Sequence, residues 1–367
     1  MTDLCVRACE MFRRIVISAV ALLLSFSALA QSEKLYIDTD FNFDFDNTEY
    51  SGSNLAPSET LFGISLAPAL RYEWSDKHHL SVGVNMQKMF GSVRFLDDID
   101  LIAYYQFRNE NYGAVAGLFR REKLMGRYSE AFFSNAWLAS NRVVQGLALQ
   151  YTDKVGYAEL VADWNGMYSA ECREQFRILV SGEGRFAKIG YAGASAEMHH
   201  YANRSTFQHN VVDDIVINPY VGVNFEAFFD FDIRLGYLQS LQRDRITDEG
   251  WRAPMGGEFY FRMSRWGVFI SNNLYVGNDL LPLYNSVGKE GTPYGADLYA
   301  ADPFYRAEKG IYNRTGIGYE RNFWQNRIKV KAEFVLKTDG VKLYNQQIIS
   351  LGVNIAPKLY DKNNKTK

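Results

Sequence analysis

Charged side chains recur at every second position in several short segments of this 367-residue chain. Rows of acids and bases on one face of a sheet support no covalent chemistry by themselves. Around a water-filled lumen, they orient polar solutes and select ions, unless they only neutralise one another as wall pairs. The candidates for such a lumen face are Asp40, Asp44, Arg71, Glu73, Asp100, Glu159, Arg177, Lys188, Arg234, Glu258, Arg262, Arg314, Lys329, Lys331 and Glu333.

Histidines near residue 200 form the weak beginning of a hydrolytic site. His199, His200 and His209 lie close in sequence to Ser205, and ester hydrolysis needs a nucleophile beside a base. The sequence has no G-x-S-x-G, H-E-x-x-H, C-x-x-C or P-loop motif, whose residues would carry a defined mechanism. We therefore expect no enzymatic activity, with a lipid hydrolase using His199 or His200 as an alternative.

No metal, cofactor or nucleic acid is expected. Residues 38–49 place acids at calcium-loop spacing, but Phe43 stands where the sharp turn needs glycine, so a strand is the better interpretation. Only Cys172 follows the first 30 residues, which excludes an internal disulfide in the rest of the chain. The formal net charge is −2, without a basic patch for nucleic acid.

The first 30 residues have the pattern of a secretory signal. Arg13 and Arg14 precede an apolar run over residues 15–24, and small residues end the segment at Ala30. The run is shorter than the ~20 residues that a membrane-spanning helix needs. We expect cleavage after Ala30, followed by a barrel over residues 31–356 and a polar periplasmic tail over residues 357–367.

Alternation of apolar and polar residues predicts that the rest of the chain is all-β. Ile328, Val330 and Ala332 alternate with Lys329 and Lys331, which is the period of a strand with two unlike faces. Fourteen or eighteen strands are alternatives to the best count of sixteen. The predicted strands span 35–46, 61–74, 79–88, 97–108, 112–121, 142–152, 156–164, 174–182, 186–200, 214–226, 230–241, 253–263, 266–275, 310–321, 327–337 and 341–356.

The connections between these strands alternate between long and short along almost the whole chain. This rhythm is typical of an antiparallel up-and-down transmembrane β-barrel in the outer membrane of a Gram-negative bacterium, with short turns and both termini in the periplasm. A soluble β-sandwich has the same alternation of residues, but its apolar face points inward and its polar face points outward. The signal, the strand number and the rhythm favour the barrel.

Two long connections are candidates for function. The segment 122–141 follows the fifth strand and carries Arg127, Glu130, Phe132, Phe133 and Trp137. In strand number and loop placement the chain resembles the general porins, which implies that this segment folds inward and constricts a pore. An ordinary surface loop is the alternative. The aromatic segment 276–309 suits either glycan stacking or a self-packed cap.

The expected function is passive, porin-like passage of small polar solutes, with the lumen charges setting selectivity. Outer-membrane lipid and small polar solutes are the expected partners, and glycans at 276–309 and a homo-oligomer are further possibilities. Two alternatives stay open. The first is a barrel that binds or exports surface polysaccharide or lipid, and the second is the lipid hydrolase.

Overall fold

A computed structural model describes residues 33–246 and 250–361, and the predicted signal lies outside this range. Sixteen antiparallel strands form a closed barrel, because β1 pairs with both β2 and β16. The strands are β1 Lys34–Glu49, β2 Glu59–Ser75, β3 His78–Met89, β4 Asp98–Arg108, β5 Tyr112–Arg120, β6 Val143–Thr152, β7 Gly156–Gly166, β8 Gln175–Arg185, β9 Gly190–Tyr201, β10 Val212–Glu226, β11 Asp230–Asp244, β12 Met255–Arg265, β13 Val268–Gly277, β14 Ile311–Phe323, β15 Ile328–Thr338 and β16 Leu343–Ile355.

The remaining elements are short. A final strand, β17, spans Lys358–Asp361 and pairs with the beginning of β1, next to the place where β16 ends. Two α-helices, α1 Asn135–Ser140 and α2 Gly295–Leu298, and two 3₁₀ turns, Arg121–Lys123 and Pro303–Arg306, lie in connections between strands. None of the helices within the described residues has the length and apolar character to cross a membrane.

The barrel is apolar outside and polar inside. On β15, Phe334 is 43% exposed on the outer face, whereas its neighbour Glu333 is 5% exposed and faces inward. This arrangement is the reverse of a soluble sandwich and matches a barrel surrounded by hydrocarbon. Exposed aromatic residues lie near both ends of the barrel, among them Phe90, Trp164 and Trp251 at the long loops and Phe186, Phe228, Trp266 and Trp324 at the short turns.

Short turns and long loops alternate as predicted. The two residues between β12 and β13, Trp266 and Gly267, have φ values of 54° and 91°. Positive φ at both positions defines the two-residue turn whose twist matches that of the strands. The opposite end carries the long loops, including 121–142 and 278–310, so the two ends of the barrel differ in character.

One predicted turn is displaced. Glu183, Gly184 and Arg185 look like a turn in the sequence, but they belong to β8, and the chain reverses at residues 186–189. Glu183 stays in the strand because it pairs with Tyr157 and Gly193 on the neighbouring strands. Paired neighbours on both sides override the turn preference of a glycine-rich segment.

Candidate functional site

The loop 121–142 folds into the lumen and is held there by the nearby strands β7 and β8. The backbone N–H groups of Met125 and Gly126 donate to the Glu159 carboxylate at 2.7 and 2.9 Å. The N–H group of Arg127 donates to Ser181 Oγ at 3.1 Å. Buried backbone groups need such partners, so inward-facing side chains of β7 and β8 provide the hydrogen bonds that an exposed loop takes from water.

Two charged residues tie the loop to the barrel wall. The Arg127 guanidinium lies 3.1 Å from Glu183 and 3.4 Å from Asp232. Glu130 lies 3.1 Å from Arg314 on β14. These contacts lie on β8, β11 and β14, so the loop reaches well across the lumen from its origin between β5 and β6.

The aromatic residues of the loop are packed rather than exposed. Phe132 and Phe133 are 1% and 5% exposed, and the ring of Phe133 stacks on Trp137 with centroids 4.8 Å apart. The guanidinium groups of Arg121 and Arg177 lie 4.8 and 5.2 Å from the Trp137 ring centroid. The structure therefore brings the predicted constriction residues Phe132, Phe133 and Trp137 together on the side of β5 to β9. Arg127 and Glu130 reach across the lumen to β11 and β14.

Three cavities follow one another along the wall that includes β1, β2, β15 and β16. The turn-side cavity, of about 500 Å³, includes Arg71 and the turn residue Asn326 in its lining. The central cavity, of about 390 Å³, lies beside Asp44 and Arg142. The loop-side cavity, also of about 390 Å³, lies against Tyr284.

Neighbouring cavities in this row share lining residues. Glu122 lines both the turn-side and the central cavity. Asp46, Leu61 and Asn135 line both the central and the loop-side cavity. The row therefore follows the wall from the short turns to the long loops, and α1, which begins at Asn135, narrows it from inside.

Charges of both signs line this row. The Arg142 guanidinium donates to the Asp44 carboxylate across the central cavity. In the turn-side cavity, Arg71 lies 2.7 Å from Asp38. The predicted lumen charges Asp40 and Lys329 line this same turn-side cavity. Arg71 and Arg142 are both in direct contact with their acids, as neutralising wall pairs are.

A fourth cavity, of about 320 Å³, lies between the loop and β11 to β15, and we call it the arginine cavity. Five bases and two acids line it. Five of these seven residues lie on β11, β12, β14 and β15, and the other two, Arg127 and Glu130, belong to the inward loop. The charged residues are Arg127, Glu130, Arg234, Arg262, Arg314, Lys331 and Glu333.

The other predicted lumen residues lie outside these cavities. Asp100 accepts a hydrogen bond from Asn85 at 3.1 Å, and Glu258 accepts one from Tyr305 at 3.0 Å. Arg177 pairs with Glu197 on the inner side of β8 and β9. Lys188 lies in the turn after β8. A role of the charged set in selectivity stays a prediction.

The loop 278–310 forms a packed cap at the end of the barrel with the long loops. Tyr294, Tyr299, Phe304 and Tyr305 are each 4% exposed or less. The rings of Tyr284 and Tyr299 stack with centroids 6.0 Å apart. These aromatic faces are occupied by protein, which is the arrangement of a self-packed cap, and glycan stacking there stays a prediction.

Glu290 connects three of the long loops. Its carboxylate lies 3.1 Å from Arg173 and 3.0 Å from His209 Nδ1. Burial raises the pKa of Glu290, but the hydrogen bond with His209 and the charge of Arg173 outweigh it, so the pKa lies below its ordinary value. The charged form of Glu290 is therefore the form that holds these loops together.

The histidines of the hydrolytic alternative lie on opposite faces of β9. His199 is fully buried inside, whereas the ring of His200 stacks on Phe176 and its Nδ1 lies 3.0 Å from the Asp213 carboxylate. Within residues 33–246 and 250–361, no serine hydroxyl is hydrogen-bonded to either ring, so Ser205 is not brought to them. His200 and Asp213 form an oriented base without a bound nucleophile.

Sequence reasoning missed several residues that line the passage or hold the loop. Asp46, Arg121 and Arg142 belong to this group, and so does the buried pair of Lys337 and Asp302, which are 2.5 Å apart. Arg121 and Arg142 stand at the two ends of the inward loop. A base at each end of a long apolar connection was the only signal in the sequence that could have identified them.

These features define an outer-membrane-type, porin-like β-barrel with an inward loop. OmpT of Vibrio cholerae, in a loop-deletion form, has this fold with a TM-score of 0.53 at 10% identity, over 88% of this chain and 99% of that chain. The outer membrane protein OpdK of Pseudomonas aeruginosa gives a TM-score of 0.50 at 8% identity, over 88% and 99% of the two chains. No curated relative matches the sequence.

The sequence profile of the lipid A 3'-O-deacylase-type family matches residues 28–234, which is more than half of the chain. The chain belongs to this family. Its name denotes a hydrolase, and this overturns the expectation that the protein has no enzymatic activity. That expectation was based on the absence of four short catalytic and binding motifs from the sequence, whereas the family match extends over residues 28–234.

Proposed function

We propose that this barrel lies in an outer membrane, with its short turns and both termini in the periplasm, and admits small polar solutes along the wall of β1, β15 and β16. The supporting observation is the row of cavities that share Glu122, Asp46, Leu61 and Asn135 as lining residues. The apolar outer face of the strands suits a hydrocarbon surrounding.

In this proposal, α1 and the wall opposite it form the constriction. Asp44 and Arg142 face each other there, and Lys331 lines the same central cavity. A solute passing this point exchanges part of its hydration for these groups, so charge and hydrogen-bonding capacity decide which solutes pass. The loop contributes by filling the other side of the lumen, which leaves one path instead of a wide pore.

Single-channel conductance in a planar bilayer tests the proposal. The purified protein is compared with a variant in which residues 125–140 are replaced by a short Gly-Ser linker, and with a control in which the external loop 91–96 is shortened. We expect steady steps for the intact protein and the control, and larger steps for the first variant. If the intact protein shows no conductance steps, whether or not the first variant conducts, an open passage is contradicted.

A second function is supported by the family and by one site on the outer face. The family is named for removal of an ester-linked acyl chain from lipid A, and the pair of His200 and Asp213 lies toward the long loops, on the outward face of β9 and β10. In this candidate function, the Asp213 carboxylate orients the imidazole of His200, which accepts a proton from the water that attacks the ester carbonyl. The imidazolium then donates this proton to the sugar oxygen as the acyl–oxygen bond breaks, which releases a fatty acid and a sugar hydroxyl.

Mass spectrometry of lipid A incubated with the purified protein tests this second function. Hydrolysis predicts loss of one acyl chain, and the variant H200Q is expected to abolish the loss. The variant H209Q changes a histidine in a neighbouring loop and is the matched control, because it is expected to retain the activity. Intact lipid A after incubation, or equal activity of H200Q, contradicts the hydrolase candidate.

A further inference from the structure

The arginine cavity contains one buried guanidinium that has no counter-charge. Arg234 on β11 is 6% exposed and lines the cavity. Within residues 33–246 and 250–361, no carboxylate pairs with it and no group accepts a hydrogen bond from it; its Nε is buried without a partner. Burial of an unpaired charge is strongly unfavourable.

The aromatic neighbours of Arg234 compensate only part of this cost. Its guanidinium carbon lies 5.1 Å from the ring centroid of Tyr220 and 4.7 Å from that of Tyr260. Cation–π contacts of this kind are weaker than the hydration that the guanidinium loses. They hold the group in position between two rings but leave its buried Nε–H without an acceptor.

Nearby acids are already engaged with other groups. Asp232 accepts from Tyr191 and from Arg127 at 3.4 Å, and Glu258 accepts from Tyr305 at 3.0 Å. The remaining bases of the cavity differ from Arg234 because each has a carboxylate partner. These pairs are Arg127 with Glu183, Arg262 with Glu320, Arg314 with Glu130 and Glu333, and Lys331 with Glu333.

We propose that the arginine cavity binds a small oxyanion, a carboxylate or a phosphate, through the guanidinium of Arg234. The planar fork of an arginine matches two oxygens of either group. The hydroxyls of Tyr260 and Ser271 line the same cavity and provide further donors. The volume of about 320 Å³ suits a small ligand.

The site is adjacent to the proposed passage but does not depend on conduction. Asn135 and Lys331 line both the arginine cavity and the central cavity, so an oxyanion in transit has access to Arg234. Binding to the protein in detergent can be measured without a membrane. If the protein conducts normally but binds no oxyanion, only this inference is contradicted. If it binds an oxyanion but shows no conductance in bilayers, only the proposed passage is contradicted.

Isothermal titration of the purified barrel with inorganic phosphate and with benzoate tests the inference. We expect saturable binding of at least one of the two probes, weakened about tenfold or more in R234Q because the charge and the fork are lost. R234K retains a point charge, so it is expected to keep phosphate binding and lose benzoate binding. R71Q is the matched control, because it changes a lumen arginine of the turn-side cavity that is paired with a carboxylate. It is expected to retain the binding of both phosphate and benzoate.

Thermal unfolding provides a second readout. Saturating phosphate or benzoate is expected to raise the unfolding temperature of the unchanged protein, because a ligand stabilises the state that binds it. Without ligand, R234Q is expected to unfold at the same or a higher temperature than the unchanged protein. No binding and no shift with either probe, or equal binding by R234Q, overturns the inference.

Discussion

The two sides of the lumen are built differently. On the side of β5 to β10, apolar residues such as Val144, Val161 and Leu179 are fully buried under the inward loop. On the side of β1, β15 and β16, cavities line the wall and charged residues face them. The barrel thus encloses a packed core on one side of its lumen and a row of polar cavities on the other.

The difference shows what the inward loop does for the barrel. A wide barrel leaves a lumen too large to be filled by wall side chains alone. The loop converts half of this space into a protein interior, where Arg121 lies 2.7 Å from the buried Asp163. The cavity side also keeps partly buried pairs, such as Arg142 with Asp44. Substitutions on the filled side should therefore affect stability, and those on the cavity side should affect selectivity.

The largest effect is expected from D163A on the filled side. This change leaves the guanidinium of Arg121 buried without its carboxylate, and breaking such a pair costs about 3–5 kcal/mol. Urea unfolding in lipid vesicles measures the loss in free energy of unfolding. The double variant R121M with D163L is expected to recover most of it, and D76N, at an exposed surface pair, is the control. A loss for D163A no larger than for D76N contradicts a packed core on this side.

A smaller effect is expected from D44N on the cavity side. The change releases the charge of Arg142 into the central cavity, so the preference for anions over cations should rise by about twofold. Reversal potentials in a salt gradient measure this ratio. D100N makes the same chemical change at a lumen position outside the cavities and is expected to leave the ratio unchanged. Equal shifts in both variants argue against a passage along β1.

The smallest effect is expected for the acid stability of the cap that the loop 278–310 forms over the lumen. The pKa of folded Glu290 lies below its ordinary value, which is near ~4.3. Its links to Arg173 and His209 therefore stabilise the cap above about pH 4.3 and are lost as the pH falls through the folded pKa. Partly exposed pairs contribute up to about 1 kcal/mol.

Hydrogen–deuterium exchange of residues 286–297 measures this acid sensitivity. Exchange, corrected for its intrinsic pH dependence, should increase below about pH 4.3 in the unchanged protein. E290Q removes the titrating group, so its corrected exchange should not change with pH in this range. An equal acid response of E290Q shows that another group holds the cap.

The strand pattern was predictable from the sequence because alternation reports two unlike environments directly. Phe334 and Glu333 are adjacent in sequence and lie on opposite faces, as the periodicity requires. The displaced turn at Glu183 shows the limit of local signals, since pairing with neighbouring strands decided that position. The resemblance to the general porins in strand number and loop placement also indicated which connection folds inward.

Contacts across the lumen were not predictable. Asp44 on β1 and Arg142 at the end of the inward loop are far apart in sequence, and only the closure of the barrel brings them together. The family relationship was also missed, because the sequence contains none of the short catalytic motifs that were considered, whereas the family match extends over residues 28–234. Local patterns predict elements and faces, whereas pairs across a cavity depend on the register of every intervening strand.

Thiol labelling during channel recording tests the central claim most directly. With Cys172 changed to serine, S350C places a thiol on the wall of the central cavity and S181C places one under the inward loop. A cationic methanethiosulfonate reagent is expected to reduce the current through S350C in steps and to leave S181C unchanged. Block of S181C with no effect on S350C would place the passage on the other side of the lumen and contradict the account.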